Sequence, residues 1–307
     1  MTAINRVTTR HELAAPSLAT PVLVAKMLAV IALTKPRALV LIVYTTCLGY
    51  LIAATRAIEL FHLAQVAFGV GLAAAGSLAL NQHMERHLDA KMTRTRHRPL
   101  PAGRLDPDTA LVLGWVAMTG GYLYLWFWIG PACSIATMIC GFSYLYLYTP
   151  LKKKTSYSSW AGAIPGAMLP VMGWLAVRDR PEIGAWILFT ILFLWQIPHA
   201  LIISLRHRDD YHRAGMKQLP LISPDSTTRR HILFNVLALV PVTLLPYFFN
   251  MTESLYPLSA VVLGGLLSWA TLDFAKGRSR TAANRLFLSL TVYLPLLLMI
   301  MYLDKPA

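Results

Sequence analysis

About nine apolar stretches constrain this chain more than anything else in it. They centre on residues 38–54, 62–80, 109–129, 131–148, 160–177, 183–205, 231–249, 255–274 and 285–302. Each has the roughly 17 to 25 residues that a helix needs to cross a bilayer. With 56% hydrophobic and only 14% charged residues among 307, the chain is too apolar for a soluble domain of ordinary make-up. The stretches are apolar all round rather than alternating, so helices and not the strands of a β-barrel are expected. The expected fold class is therefore all-α, a polytopic membrane bundle of about nine transmembrane helices.

The cations orient this bundle. With the N-terminus placed in the cytoplasm, every Lys and Arg except Arg56, Arg178, Arg180 and Lys305 falls in a cytoplasmic segment or at its membrane border. The positive-inside rule favours that topology, with the C-terminus outside. Much of the net charge of +14 thus serves insertion, and no nucleic-acid partner is called for. Residues 1–34 read as an N-terminal cytoplasmic segment and 35–307 as a single membrane domain, since no linker or low-complexity tract divides them. Arg6 and Arg10 are accompanied by Glu12 and by no long apolar core, so a secretory signal is not expected. A bacterial cytoplasmic membrane is the simpler location, a mitochondrial inner membrane the less favoured one. Cys47, Cys133 and Cys140 lie in apolar segments without Cys-x-x-Cys spacing and read as packing residues.

Chemistry-bearing residues gather at the cytoplasmic borders. Asn81, Glu85 and Asp89 are spaced i, i+4 and i+8, which on a helix stacks three oxygen donors along one stripe at the end of the second apolar segment. Two carboxylates at a low-dielectric border stay ionised together when a cation stands beside them. Oxygen-only donors suit a hard ion such as Mg²⁺, which binds through one or two carboxylates plus substrate phosphates. Arg94 and Arg98 follow, and their planar donors match a phosphate. Taken singly, each of these residues would most often be the solvated cap of a membrane helix.

The segment from Asn81 to Leu100 resembles the first signature of the UbiA-type membrane prenyltransferases, Asn-x-x-x-Asp-x-x-x-Asp followed by Arg-Thr-x-x-Arg-Pro-Leu. Glu85 stands where the first acid is usually Asp, and it remains an oxygen donor. Tyr148-Thr-Pro-Leu-Lys-Lys-Lys-Thr155, with Gly162-Ala-Ile-Pro-Gly166 beyond it, is similar to the middle signature of the haem O synthase branch. Trp195-Gln-Ile-Pro-His199, followed by Asp210-Tyr-His-Arg-Ala-Gly215, is similar to its third. Ser158 and Leu169 depart from that pattern, where Asn and a second Pro are common. The match runs from about Lys35 to Pro220, and beyond it only hydropathy agrees.

The resemblance implies a ring of helices around a central cavity capped by cytoplasmic loops. It also implies a Mg²⁺-dependent transfer of the farnesyl group of farnesyl diphosphate to a vinyl group of haem b, with water added, to give haem O. Catalytic roles would fall to Asn81, Glu85, Asp89, Tyr148 and His199, the first three also holding the metal. Arg94, Arg98, Lys152 and Lys153 would hold phosphates, with Tyr144, Trp195, Gln196 and Asp210 as further substrate contacts. The partners implied are the two substrates, membrane lipid, and a haem A synthase or terminal oxidase receiving the product.

Loss of diphosphate from an allylic carbon leaves a carbocation, which aromatic faces in a closed apolar cavity would prolong. Tyr144 and Tyr148, four residues apart, are the candidates for this, and interfacial anchoring is their alternative duty. His199 could orient the haem, ligate its iron or handle a proton. Asp209 and Asp210 end the sixth segment much as Glu85 and Asp89 end the second, so Asp210 could touch a second metal or substrate, or merely cap the helix. Gly162-x-x-x-Gly166 is expected to be a close helix contact. A prenyltransferase with a quinone-type acceptor would share the metal site. A transporter would instead carry ionisable groups near the membrane midplane.

Overall fold

The structure, a computed structural model, describes residues 22–55, 58–277 and 279–306. Arg6, Arg10, Glu12, Arg56 and Arg278 lie outside the described residues. Among those residues every element is helical: α1 (Val22–Leu33), α2 (Pro36–Ala53), α3 (Leu60–Asp89), α4 (Pro107–Trp128), α5 (Pro131–Phe142), a π-helical segment (Ser143–Tyr148), α6 (Thr149–Lys154), α7 (Ser158–Arg178), α8 (Ile183–Arg206), α9 (Arg208–Arg213), α10 (Leu219–Ile222), α11 (Asp225–Val242), α12 (Leu245–Phe248), α13 (Leu255–Lys276) and α14 (Arg280–Leu303). Among the described residues nine helical spans are long and apolar enough to cross a membrane, α5 to α6 and α11 to α12 each counting as one. The protein is an integral membrane helix bundle.

Local chemistry sets the helix starts. Pro36, Pro107 and Pro131 each open a helix, where a missing N–H costs nothing. Asp106 caps α4 by accepting the Thr109 N–H at 2.9 Å. α3 runs 30 residues, about 45 Å at 1.5 Å per residue, against a hydrocarbon layer of about 30 Å. Its polar continuation keeps good helix formers, so the helix passes Leu80 unbroken and ends at Asp89, on the face of the bundle that carries the long basic loops.

The spans form a ring in chain order from α2 to α14, and α14 closes it against α2. α7 is the most deeply buried span and packs on both α2 and α8. The backbones of α2 and α7 meet at Gly49 and Gly173, where a Cβ would collide with Pro170 O and Thr46 O respectively. Gly162 and Gly166, expected at such a contact, instead face a cavity: a Cβ there would stand 2.6 Å from the Tyr148 ring and 3.1 Å from the Gln196 amide. They make room for side chains, not for a neighbouring backbone.

α1 forms a helix within the N-terminal segment, ahead of the first membrane span. Its Leu33 is buried with Ala79, Leu100 and Ala110, and Gln82 donates to the Ala32 and Leu33 carbonyls at 3.1 and 2.6 Å. Met27, Leu28 and Ile31 form its exposed apolar face.

Candidate active site

Asn81, Glu85 and Asp89 stand one turn apart on the inner face of α3 and are 0%, 5% and 1% exposed. Burying such groups is tolerable only when each is paired, and each partner comes from a different element. Lys35, at the junction of α1 and α2, donates from Nζ to Asn81 Oδ1 at 2.6 Å. Asn81 Nδ2 donates in turn to Thr149 Oγ1 at 3.0 Å. Lys152 of α6 lies 2.8 Å from Glu85 Oε1. Arg98, from the loop after α3, donates one Nη1 to both Asp89 oxygens at 2.9 and 2.7 Å. Arg94, Tyr148, Tyr211 and Gln218, with Met92 and Met216, complete the lining of this polar cavity of about 90 Å³. Four cations thus surround two carboxylates, which leaves an excess positive charge suited to an anion.

In the sequence Lys35 is only a topology signal. It adopts φ 49°, a left-handed conformation that costs a lysine energy, and this turn aims its side chain inward ahead of Pro36. Burial, with Arg98 and Lys152 nearby, lowers its ammonium to about 7 against the pull of Glu85 and Asp89. Its only signal in the chain was a lysine directly before the first span.

The π-helical segment carries the two tyrosines. The Thr149 N–H reaches back five residues to Tyr144 O, and the Thr149 hydroxyl donates to the same carbonyl at 2.9 Å. The rings of Tyr144 and Tyr148 lie 5.9 Å apart and both face an apolar cavity of about 270 Å³, bordered also by Gly162, Gly166 and Gln196. Tyr148 borders the polar cluster as well, and the Lys152 ammonium sits 4.3 Å from its ring centre. The two cavities therefore meet at Tyr148.

Asp210 does not line the cluster. It accepts the N–H groups of Thr93 at 3.0 Å and Arg94 at 3.3 Å and pairs with Arg213. Burial raises its carboxyl, but those donors outweigh burial and hold it below the usual carboxylate range. Asp210 thus fixes the loop that bears Arg94. Lys153 is exposed and stands outside the cluster, and Asp209 is exposed too. Trp195 and His199 occupy the α14-facing side of α8, away from the cluster. Trp195 donates from Nε1 to Leu290 O at 2.8 Å, and the His199 ring stacks on Trp195 at 4.6 Å and Phe287 at 5.7 Å. His199 Nδ1 is buried with no hydrogen-bond partner among the described residues.

The donor set fits Mg²⁺. Among the described residues no group of three His, Cys, Asp or Glu could hold a metal, so a closed all-protein site is not built here. Two carboxylates and one amide oxygen are what a Mg²⁺ ion sharing its shell with water and phosphate takes from a protein.

The pattern of the UbiA prenyltransferase family matches residues 42–295. Protoheme IX farnesyltransferase of Solibacter usitatus is 39% identical over 287 residues, 90% of this chain and 98% of that protein. The enzyme of the same name from Myxococcus xanthus is 35% identical over 279 residues, 90% of this chain and 94% of that one. In fold the chain resembles digeranylgeranylglyceryl phosphate synthase, with a TM-score of 0.78 at 18% identity over 91% of this chain and 98% of that one. It also resembles a UbiA homologue from Archaeoglobus fulgidus bound to GPP and Mg²⁺, with a TM-score of 0.63 at 14% identity over 89% and 99% of the two chains.

Proposed function

This chain belongs to the UbiA prenyltransferase family, and from that premise we propose that it joins the farnesyl group of farnesyl diphosphate to a vinyl group of haem b. The allylic C–O bond breaks and diphosphate leaves with its electron pair. The farnesyl carbon bonds to the outer vinyl carbon, a hydroxyl from water adds to the inner one, and a proton is released, giving haem O. The relatives of matching length named protoheme IX farnesyltransferase support this acceptor over a quinone-type one.

One observation carries the reading: a buried ladder of three oxygen donors, each met by a different element, opens at Tyr148 onto an apolar cavity. Asn81, Glu85 and Asp89 would hold Mg²⁺, while Lys35, Arg94, Arg98 and Lys152 would hold diphosphate oxygens. When bound by those residues, Mg²⁺ would supply Lewis-acid neutralisation of the leaving group. Lys152 and Arg98 stabilise the same developing charge without reorganising, because their partners already hold them there. The farnesyl chain lies in the apolar cavity, where Tyr144 and Tyr148 present π faces to the allylic cation and the walls exclude water. Gln196 borders this cavity and contacts the prenyl chain. His199 and Trp195 form a flat aromatic wall toward α14 that serves the haem. Lys153 contributes only to the field at the cavity mouth.

Residues 35–307 would form one prenyltransferase domain, set in a bacterial cytoplasmic membrane with its basic face toward the cytoplasm. The test is to incubate the purified protein with haem b, farnesyl diphosphate and Mg²⁺ and weigh the extracted pigment by mass spectrometry. Haem O is the expected product. Prenylation of a phenolic acceptor in parallel reactions, with haem b untouched, would overturn the acceptor assigned here.

A further inference from the structure

A second polar cavity, of about 620 Å³, opens on the basic face on the other side of α9. It is enclosed by the end of α8, the starts of α11 and α14 and the end of α13. His207 borders this cavity, and Tyr211, one turn further on, borders the metal-and-diphosphate cluster; their rings are 6.3 Å apart. The two cavities are thus separated by a single helical turn.

Three arginines line the second cavity, and nothing in the mechanism above uses them. Arg229 is held by backbone carbonyls, from Nε to Asp225 O at 3.3 Å and from Nη1 to Ala275 O at 3.4 Å. The Arg206 guanidinium lies 4.2 Å from the centre of the Phe287 ring, and Arg280 opens α14. Among the described residues none of the three has a carboxylate oxygen within 4.0 Å. Asp225 is already engaged by Arg208 at 3.0 Å, which leaves Asp209 as the remaining carboxylate of the lining. The cavity is therefore net positive, and its donors are planar guanidinium groups, which match carboxylates two bonds at a time. Below Arg206 an unbroken aromatic series, Phe287, His199 and Trp195, leads from this cavity into the bundle.

A flat apolar body with carboxylates on one edge fits that combination. Haem b has this shape: its two propionates lie on the edge of the macrocycle away from the vinyl group to be alkylated. We propose that the second cavity binds the propionates of the acceptor through Arg206, Arg229 and Arg280, and so sets which edge of the macrocycle faces the diphosphate site. This assignment rests on haem b being the acceptor.

The experiment compares haem b with its dimethyl ester, which lacks the two charges, in titrations of the full-length protein in lipid nanodiscs. Partly exposed charge pairs are individually weak, so the Arg229→Gln/Arg280→Gln double variant should bind haem b about tenfold more weakly. Its affinity for the ester and for farnesyl diphosphate should match that of the parent protein. Added salt should weaken haem b binding in the parent protein more than in the variant. Unchanged haem b affinity in the variant would overturn the proposal, and so would an equal loss of haem b and ester. Should the double variant not fold, Arg280→Gln alone, at an exposed helix start, carries the same comparison. A parent protein that binds neither haem b nor its ester overturns the acceptor reading itself, and this subsite with it.

Discussion

Lys152 lies 2.8 Å from Glu85, a residue 67 positions earlier in the chain, and the two form a buried ion pair at the mouth of the prenyl cavity. Breaking one side of such a pair leaves a buried charge alone, at a cost of about 3–5 kcal/mol. Lys152→Gln and Glu85→Gln should each lower the thermal unfolding temperature in metal-free buffer. The double variant should lose clearly less than the two single losses together, although all three lose prenyl transfer. Strictly additive losses would show that the pair is not coupled.

Asp89→Ala should abolish Mg²⁺-dependent transfer while membrane insertion stays intact. Arg98→Lys keeps the charge but loses the planar donor shared between both Asp89 oxygens. Titrations should therefore show farnesyl diphosphate affinity falling more than haem b affinity. Normal turnover in purified Asp89→Ala protein would falsify the metal assignment.

Gly162→Ala tests the cavity. The added Cβ would stand 2.6 Å from the Tyr148 ring, which must then tilt. A single aromatic face contributes about 0.5 to 2 kcal/mol to a cation, so kcat should fall by roughly two- to thirtyfold. The unfolding temperature should move little, because the ring has cavity on its other side.

Asp210→Asn should raise the KM for farnesyl diphosphate by about tenfold, since the loop that carries Arg94 loses its charged acceptor. The Asp210 carboxyl is depressed in the folded protein. Its contribution is therefore present above the unfolded value of about 3.9 and is lost as pH falls through the folded value. Acid should consequently loosen this loop in the parent protein more than in the variant, as read by proteolysis within residues 90–106 across a pH series.

His199→Ala should leave farnesyl diphosphate affinity intact, because the ring is remote from the polar cluster, and should impair the use of haem b. Haem O formation at the parent rate would remove His199 from the acceptor wall.

The number of spans and the oxygen ladder of α3 were legible in the chain because both are local. Hydropathy over about twenty residues depends on no distant contact, and i, i+4, i+8 spacing puts side chains on one stripe of any helix. The pairing of Tyr144 with Tyr148 was legible for the same reason, although the backbone carrying them is π-helical. Gly162 and Gly166 show where local reasoning stops. A small-xxx-small pattern means a close approach, but whether backbone or side chain arrives depends on the neighbour, here Tyr148 and Gln196.

Asp210 and Lys35 mark the same boundary from the polar side. Sequence spacing leaves Asp210 as either a second metal or substrate contact or a helix cap, whereas the fold turns it onto the backbone of a loop more than a hundred residues earlier. Lys35 reads as one basic residue among many at a membrane border until its left-handed backbone brings it against Asn81, 46 residues away. From the amino-acid order come an all-helical membrane bundle, its basic face and the oxygen donors at that face, because transfer free energy and helix periodicity act over one or two turns. Which cation meets which carboxylate, and which faces enclose a cavity, came only with the packed ring. Those partners come from the α1–α2 junction, the loop after α3 and α6, and only helix packing sets the distances between such elements.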